Sequence, residues 1–249
     1  MPTPFWHRIG VWQWIEFVAA IAVLFSAILA VADKPAGAIW GSSWGAILLA
    51  AKYVQTRFEK KERIDKEQLT RRLILAVLEA MRLEYFARVE DENLHQHRVS
   101  LLAFKDVDAR RGLGKRLELY ARAGRFPESQ ILLRLDENEL SLCEGVAGQV
   151  WFRNAPQFAM LPTWPVDDDA AAKIAYANTG FLGIARASSL NVKSSVLSGV
   201  PIRAFGRRWG VLILDSQVAG FITNQPQKVE VAVWYAALIG RLIEEGVHS

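Results

Sequence analysis

Cysteine is almost missing from this chain of 249 residues. Cys143 stands alone, which excludes an intrachain disulfide and any paired-cysteine redox or zinc motif, and fits a reducing compartment. Charge is missing from much of the amino-terminal part. From Ile9 to Ala32 the only formal charge is Glu16, and from Pro35 to Ala51 there is none, with Asp33-Lys34 between the two spans. Proline and glycine are missing from Gln55 to Glu92, so nothing there interrupts a helix. No nucleophilic elbow, Walker motif or zincin helix occurs, and Gly112-Leu-Gly114 lacks the rest of a phosphate-binding fingerprint.

The two charge-poor spans predict a transmembrane helical hairpin over residues 1–54, since about 20 mostly apolar residues cross the hydrocarbon core. The second span is at the short end. Basic residues flank the outer ends of the pair: Arg8 before the first span, and Lys52, Arg57, Lys60, Lys61, Arg63 and Lys66 after the second. The positive-inside rule then places both termini in the cytoplasm, with the protein in the inner membrane. Trp6, Trp12 and Trp14 sit where the first span would meet the headgroups. A rival reading is a signal peptide ending at Ala30-Val31-Ala32, against which stand the long apolar stretch and the basic run that follows. Glu16 is a candidate for a membrane function, as an intramembrane acid is by default. Gly41 and Gly45 are candidates for close helix packing.

Positive charge is local. Between Lys52 and Arg72 there are eight Lys or Arg against four Asp or Glu, a surplus of four that equals the net charge of the whole chain. A basic stretch beside a membrane matches anionic lipid, so membrane lipid and not nucleic acid is the expected partner.

Residues 55–93 predict a linker helix. Its first half is charged, with Glu59–Arg63 and Glu62–Lys66 at helical spacing. In its second half Leu69, Leu73, Val77 and Met81 make one row, with Ile74, Leu78 and Tyr85 beside it, an apolar stripe that packs on its own domain or on a twin. A homodimer or higher oligomer is expected.

From residue 94 onward short strands and turns predominate. Val99–Phe104 reads as a buried strand, and Lys115–Ala123 alternates with Leu117, Leu119 and Ala121 on one face. Ser195–Ala204 and Trp209–Asp215 flank a turn at Phe205-Gly206-Arg207-Arg208. A helix from Asn224 to Glu245 closes the chain, with Val231, Tyr235, Leu238 and Leu242 on one face. The expected fold class is α+β.

The most specific stretch is EGVAGQVW, Glu144 to Trp151, where Gly145 and Gly148 permit a tight entry into a short helix. Together with Leu132–Leu135, Pro156 and the GVPIRAFGRRWGVLILDS hairpin, its order and spacing resemble the GAF domain family over about residues 94–246. The resemblance implies a central antiparallel sheet with helices on one side and a small-molecule pocket on the other. The domain is then 94–249. In that family the pocket is closed by the variable middle, here about Gln157–Asn191, which makes Phe158, Trp164, Tyr176, Asn178, Thr179 and Phe181 the candidate ligand-binding residues. These rings equally suit a core.

The residues that mark cyclic-nucleotide-binding relatives have no clear counterpart, and the several cysteines of sulfoxide-reducing relatives are absent. Cys143 reads as a small packed residue. His95 and His97 read as a solvated junction and not as metal ligands. Asp167-Asp168-Asp169 reads as the start of a helix at Ala170. No cofactor or metal is expected, and the ligand is an unidentified small molecule or nucleotide. With the chain ending after the closing helix, the expectation is a non-enzymatic, membrane-anchored sensor that passes its state through the linker helix to a partner signalling protein. The alternatives are a cyclic-nucleotide-triggered two-span effector that disrupts membranes in antiviral defence, and a scaffold for dimerisation.

Overall fold

The computed structural model describes residues 34–86, 96–106, 114–124, 131–190, 193–218 and 226–248. The chain divides into two compact units, Met1–Lys66 and Glu67–Ser249. One helix, α1, runs from Lys34 to Tyr85. Within the first unit its exposed surface carries the Glu62–Lys66 ion pair at 3.0 Å, and Arg57 donates to the Tyr53 hydroxyl at 2.7 Å. Pro35–Ala51 is helical, but among the described residues no helix is long and apolar enough to cross a membrane. Two tryptophans, two serines and two glycines between Trp40 and Gly45 dilute the apolar run. Gly41 and Gly45 lie about one turn apart on this helix. The first expected span and Glu16 lie outside the described residues.

The second unit is built on six antiparallel strands in the order β3-β2-β1-β6-β5-β4. They are β1 (His97–Asp106), β2 (Lys115–Ala123), β3 (Leu132–Arg134), β4 (Gln157–Met160), β5 (Val196–Ala204) and β6 (Arg207–Ser216). Helices α2 (Gly145–Arg153), α3 (Ala170–Thr179) and α4 (Ile184–Ser189) come between β3 and β5, and α5 (Pro226–His248) follows β6. The β5–β6 turn is only Phe205-Gly206, with φ of 55° and 70°. Two positive φ values in a two-residue loop suit the right-handed strand twist. Arg207 and Arg208, expected in the turn, pair instead with Ala204 and Arg203.

Each face of the sheet carries a core. On one, Val99, Leu101, Val200, Ile202, Leu212 and Leu214 meet Ile74, Leu78, Met81 and Tyr85 of α1 and Ala232, Tyr235, Ala236, Ile239 and Ile243 of α5. On the other, Leu102, Leu117, Val211 and Ile213 meet Val146, Val150 and Trp151 of α2 and Tyr176 and Ala177 of α3. The α1 stripe is rotated from the expected one. Ile74, Leu78, Met81 and Tyr85 are buried, whereas Leu69 is 58% and Leu73 46% exposed. As described the helix runs to Tyr85, and residues 87–92 of the expected helix lie outside the described residues.

A β-bulge corrects the expected alternation of β2. Leu101 pairs with Ala121 but Leu102 pairs with Leu119, so Tyr120 is the extra residue. Leu117 and Leu119 therefore face the α2–α3 core, while Ala121 and Ala123 face the α1–α5 core. A second register slip, between Ile202 and Arg203 of β5, leaves Trp209 as the extra residue of β6. The Tyr120 and Trp209 rings meet edge to face, centroids 5.3 Å apart, on the α1–α5 side. Bulges re-aim the side chains that follow them. Here the residue re-aimed is Arg122.

Candidate functional site

The EGVAGQVW stretch acts as a local junction. Glu144 donates its backbone N–H to the Arg134 carbonyl at 2.9 Å and, through its carboxylate, accepts the Arg134 N–H at 2.9 Å. Gly145, at φ +72°, turns the chain into α2 and donates its N–H to the Phe181 carbonyl at 2.7 Å. A side chain at Gly148 would sit 2.9 Å from the Cys143 carbonyl carbon, so glycine lets α2 close on the preceding segment. Gln149 then bonds the Leu140 and Cys143 carbonyls. This fixes α2 against the sheet and ties it to the α3–α4 connection.

Beyond α2 on the same face, the core turns polar. Arg98 and Asp215 are partners in the β1–β6 register, and both are 7% exposed. Their side chains form an ion pair. The Ser194 hydroxyl donates to Asp215 Oδ1 at 2.8 Å, and the Tyr176 hydroxyl of α3 donates to the Ser194 carbonyl at 3.1 Å. On the other side, Arg122 Nε donates to the Ser100 hydroxyl at 2.9 Å. The alternation of β1 puts Arg98 and Ser100 on the face of Leu102, and the bulge at Tyr120 brings Arg122 to that face. Without it Arg122 would share the face of Ala121's neighbours across the sheet.

Electrostatics follow from this crowding. Burial pushes the Tyr176 hydroxyl up to about 12, with Asp215 adding to the rise. Burial, then the like charge of Arg98, holds the Arg122 guanidinium below its usual value, while Asp215 opposes the change. The buried members are Arg98, Ser100, Ser194, Asp215 and Tyr176; the half-buried rim is Arg122, Trp164 and Lys193. Trp164 stands edge-on to Tyr176, centroids 5.1 Å apart and planes at 89°. The Lys193 ammonium lies 4.3 Å from the centre of the Trp164 ring and donates to the Leu190 carbonyl at 2.7 Å and the Ser188 carbonyl at 3.1 Å.

Of the residues expected from sequence, the structure brings Trp164 and Tyr176 together. Phe158 faces away, because it pairs with Ser198 and packs against the α1–α5 core. Asn178 is exposed on α3. Thr179 is exposed and donates its hydroxyl back to Ala175 of its own helix. Phe181 is 44% exposed at φ +54°, and its role is through its carbonyl. Arg98, Ser100, Arg122, Ser194 and Asp215 were not anticipated. The available signal was charge inside apolar strands: Arg98 opens VSLLAF and Asp215 closes GVLIL.

Other expectations resolve structurally. His97 is fully buried and stacks on Phe86 at 4.3 Å, which corrects its reading as a solvated residue; His95 lies outside the described residues. Among the described residues no three potential metal ligands cluster. Asp169 caps α3, accepting the Ala171 and Ala172 N–H groups at 2.9 and 3.0 Å. Cys143 is buried, and burial pushes its thiol up.

No protein-family model matches the chain, and no curated protein does. Solved structures resemble it in fold. Type II free methionine-R-sulfoxide reductase from Thermoplasma acidophilum is 14% identical, with 71% of this chain and 96% of that one covered and a TM-score of 0.40. The GAF domain of a phosphoenolpyruvate-protein phosphotransferase from Coxiella burnetii is 14% identical, with 74% and 94% covered and a TM-score of 0.38. A methyl-accepting chemotaxis protein fragment, residues 122 to 287, is 18% identical, with 71% and 90% covered and a TM-score of 0.44. The expectation of a non-enzymatic domain is corrected to this extent: free methionine-R-sulfoxide reductases, which are enzymes, stand among the structures that this chain resembles. The second unit, an antiparallel sheet with helices on both faces, has GAF domains among the solved structures that it resembles in fold.

Proposed function

We propose that residues 67–249 form a ligand-sensing domain whose site is the polar face around Arg98, Arg122, Tyr176, Ser194 and Asp215. The carrying observation is the Tyr176–Ser194–Asp215–Arg98 hydrogen-bonded chain, which sits on the α2–α3 side of the sheet where an apolar core would serve packing as well or better. Ion pairs taken out of water contribute little net stability, so a buried network of this extent is better explained by recognition. The network reaches α3, an element outside the sheet, so a guest at the rim has a route to helix movement. The printed names of similar structures, a chemotaxis protein and a sensor histidine kinase among them, are in keeping with signalling. Anchoring through residues 9–32 and pairing through the exposed Leu69–Leu73 row of α1 belong to the same proposal.

Native mass spectrometry of the full chain purified gently from its own cells tests the reading. A retained small molecule, or one that raises thermal stability when added, supports it. At about 100 times its Kd a ligand adds about 2.7 kcal/mol, roughly 5–10 °C for a unit of this size. An empty protein whose midpoint no metabolite extract shifts would sink it.

A further inference from the structure

The outer side of α1 carries a second apolar stripe that the domain's own core leaves uncovered. Leu69, Leu73, Ala76, Ala80 and Leu83 follow one another at spacings of four, three, four and three, and all five are exposed, Leu83 by 48%. That spacing lays one seam along a helix and is the repeat by which helices pack on helices. Ile74, Leu78, Met81 and Tyr85, buried in the core against the sheet, stand on the other side. Beside α1, α5 runs antiparallel: Gly246 lies against the Thr70 side chain, and the Tyr235 hydroxyl donates to Glu84. It too has an outer side, where Trp234 is 61% exposed, Leu238 half-buried and Arg241 exposed, at spacings of four and three. Together the two outer sides are about 21 Å long, at 1.5 Å per residue from Leu69 to Leu83, and two helices wide. That footprint approaches the roughly 800 Å² per partner of a stable interface. Contiguous apolar surface of this extent marks a site of association.

We infer that a second copy of the chain covers this face, with α1 and α5 of one copy meeting α5 and α1 of the other around a two-fold axis parallel to the helices. This rests on the reading that the Leu69–Leu73 row pairs, and it names the surface opposite. A two-fold interface is built from one patch that complements itself. Rotation about an axis along the helices keeps every residue at its own height. So α1 meets those α5 residues of the other copy that stand level with it in its own, and the Thr70–Gly246 and Glu84–Tyr235 contacts set the levels. Leu83 then meets Trp234 of the second copy, and Ala80 meets its Leu238. Glu79, which also pairs with Arg82 of its own helix, stands beside Arg241 of the second copy. A ring falls on a leucine, a leucine on an alanine and a carboxylate beside a guanidinium, a self-complementarity that a face turned only to water does not need. Both copies of α1 run in one direction, as two chains held in one membrane require.

The experiment is disulfide cross-linking between two full-length variants, Leu83→Cys and Trp234→Cys, made in the same cells with different tags, the native Cys143 being buried. Oxidation is expected to join the two tags, and to do so far more than when Met160→Cys replaces either variant, a position 60% exposed but on β4 at the edge of the sheet. Trp234→Glu should shift sedimentation of the full chain from dimer to monomer with the unfolding midpoint of the unit unchanged. Glu79→Arg should weaken association, and Arg241→Glu in the same chain should restore it. A parent chain that sediments as a monomer at its highest soluble concentration would overturn the inference. So would a dimer that forms no Leu83–Trp234 cross-link, or one that Trp234→Glu leaves intact. If such a dimer is still lost in Leu69→Glu with Leu73→Glu, the row stands as an interface with some other surface opposite it. Ligand sensing is decided separately, by whether a small molecule is retained or stabilises the protein.

Discussion

Arg98 and Asp215 face each other across β1 and β6 as register partners, each 7% exposed, and their side chains form an ion pair that Ser194 completes from the segment just before β5. Removing one partner leaves the other charge buried. Asp215→Ala should therefore cost about 3–5 kcal/mol, and the double variant Arg98→Met, Asp215→Leu should recover most of that loss. Thermal unfolding of the three proteins checks it. If the double variant is as unstable as Asp215→Ala, the pair is not the source of the loss.

Tyr176 offers an independent measurement. Burial pushes its hydroxyl, and those of Tyr85 and Tyr235, up to about 12. A folded value raised above the unfolded one near 10 gives stability that is fully present below pH 10 and lost as pH climbs toward 12. Ultraviolet titration of phenolate should show these three ionising late and together with unfolding. Tyr176→Phe should cost about 1–3 kcal/mol at neutral pH by leaving the Ser194 carbonyl without its donor, and should lower the alkaline absorbance change by one tyrosine.

Elements with a strong local pattern were legible in the sequence. Lys115–Ala123 is a strand with those bounds, and the late hairpin and closing helix stand within three residues of their expected limits. What failed was what local pattern does not encode. The Tyr120 bulge arises from pairing with β1, so no period along β2 announces it, yet it decides which core Ala121 joins and where Arg122 points. The candidate site was sought in aromatic residues of the variable middle; Trp164 and Tyr176 do meet, but the charged half of the cluster comes from β1, β2 and β6, brought together only by sheet order. Phe158 fell on the opposite face for the same reason, since the parity of a four-residue strand is fixed by its partner Ser198.

Cys143 should be unreactive in the folded protein. Its thiol is buried, burial raises its pKa, and the sulfur exchanges hydrogen bonds with the Asp136 backbone at 3.1 and 3.3 Å. The thiolate is the nucleophile, so alkylation at neutral pH should be at least about tenfold slower than in the denatured chain. Mass spectrometry after iodoacetamide treatment, native and denatured, measures it; equal rates would mean that the segment around Cys143 opens freely.

Gly148→Ala tests the reading of the EGVAGQVW junction. Alanine within a helix gains about 1 kcal/mol over glycine. Here the added methyl would sit 2.9 Å from a backbone carbon and 3.1 Å from the Cys143 Cβ. Neither is the far end of a flexible chain, so α2 has to move, at about 1–3 kcal/mol. Net destabilisation is expected in chemical denaturation, and a stabilised variant would contradict the close approach.

The register of α1 separates burial from surface among leucines that look alike in sequence. Leu78 is fully buried beneath the sheet, whereas Leu69 and Leu73 lie on the exposed side of the same helix. Leu78→Ala should cost about 2–5 kcal/mol through lost contact and the cavity left behind. Leu69→Glu with Leu73→Glu should change the stability of the unit by less than about 0.5 kcal/mol per site, as surface changes do. Their effect belongs instead to association: if α1 pairs with its counterpart in a second copy through that row, the double variant shifts sedimentation toward the monomer without lowering the unfolding midpoint of the unit. A variant that sediments as the parent does would remove Leu69 and Leu73 from any interface and leave dimerisation, if it occurs, to another surface.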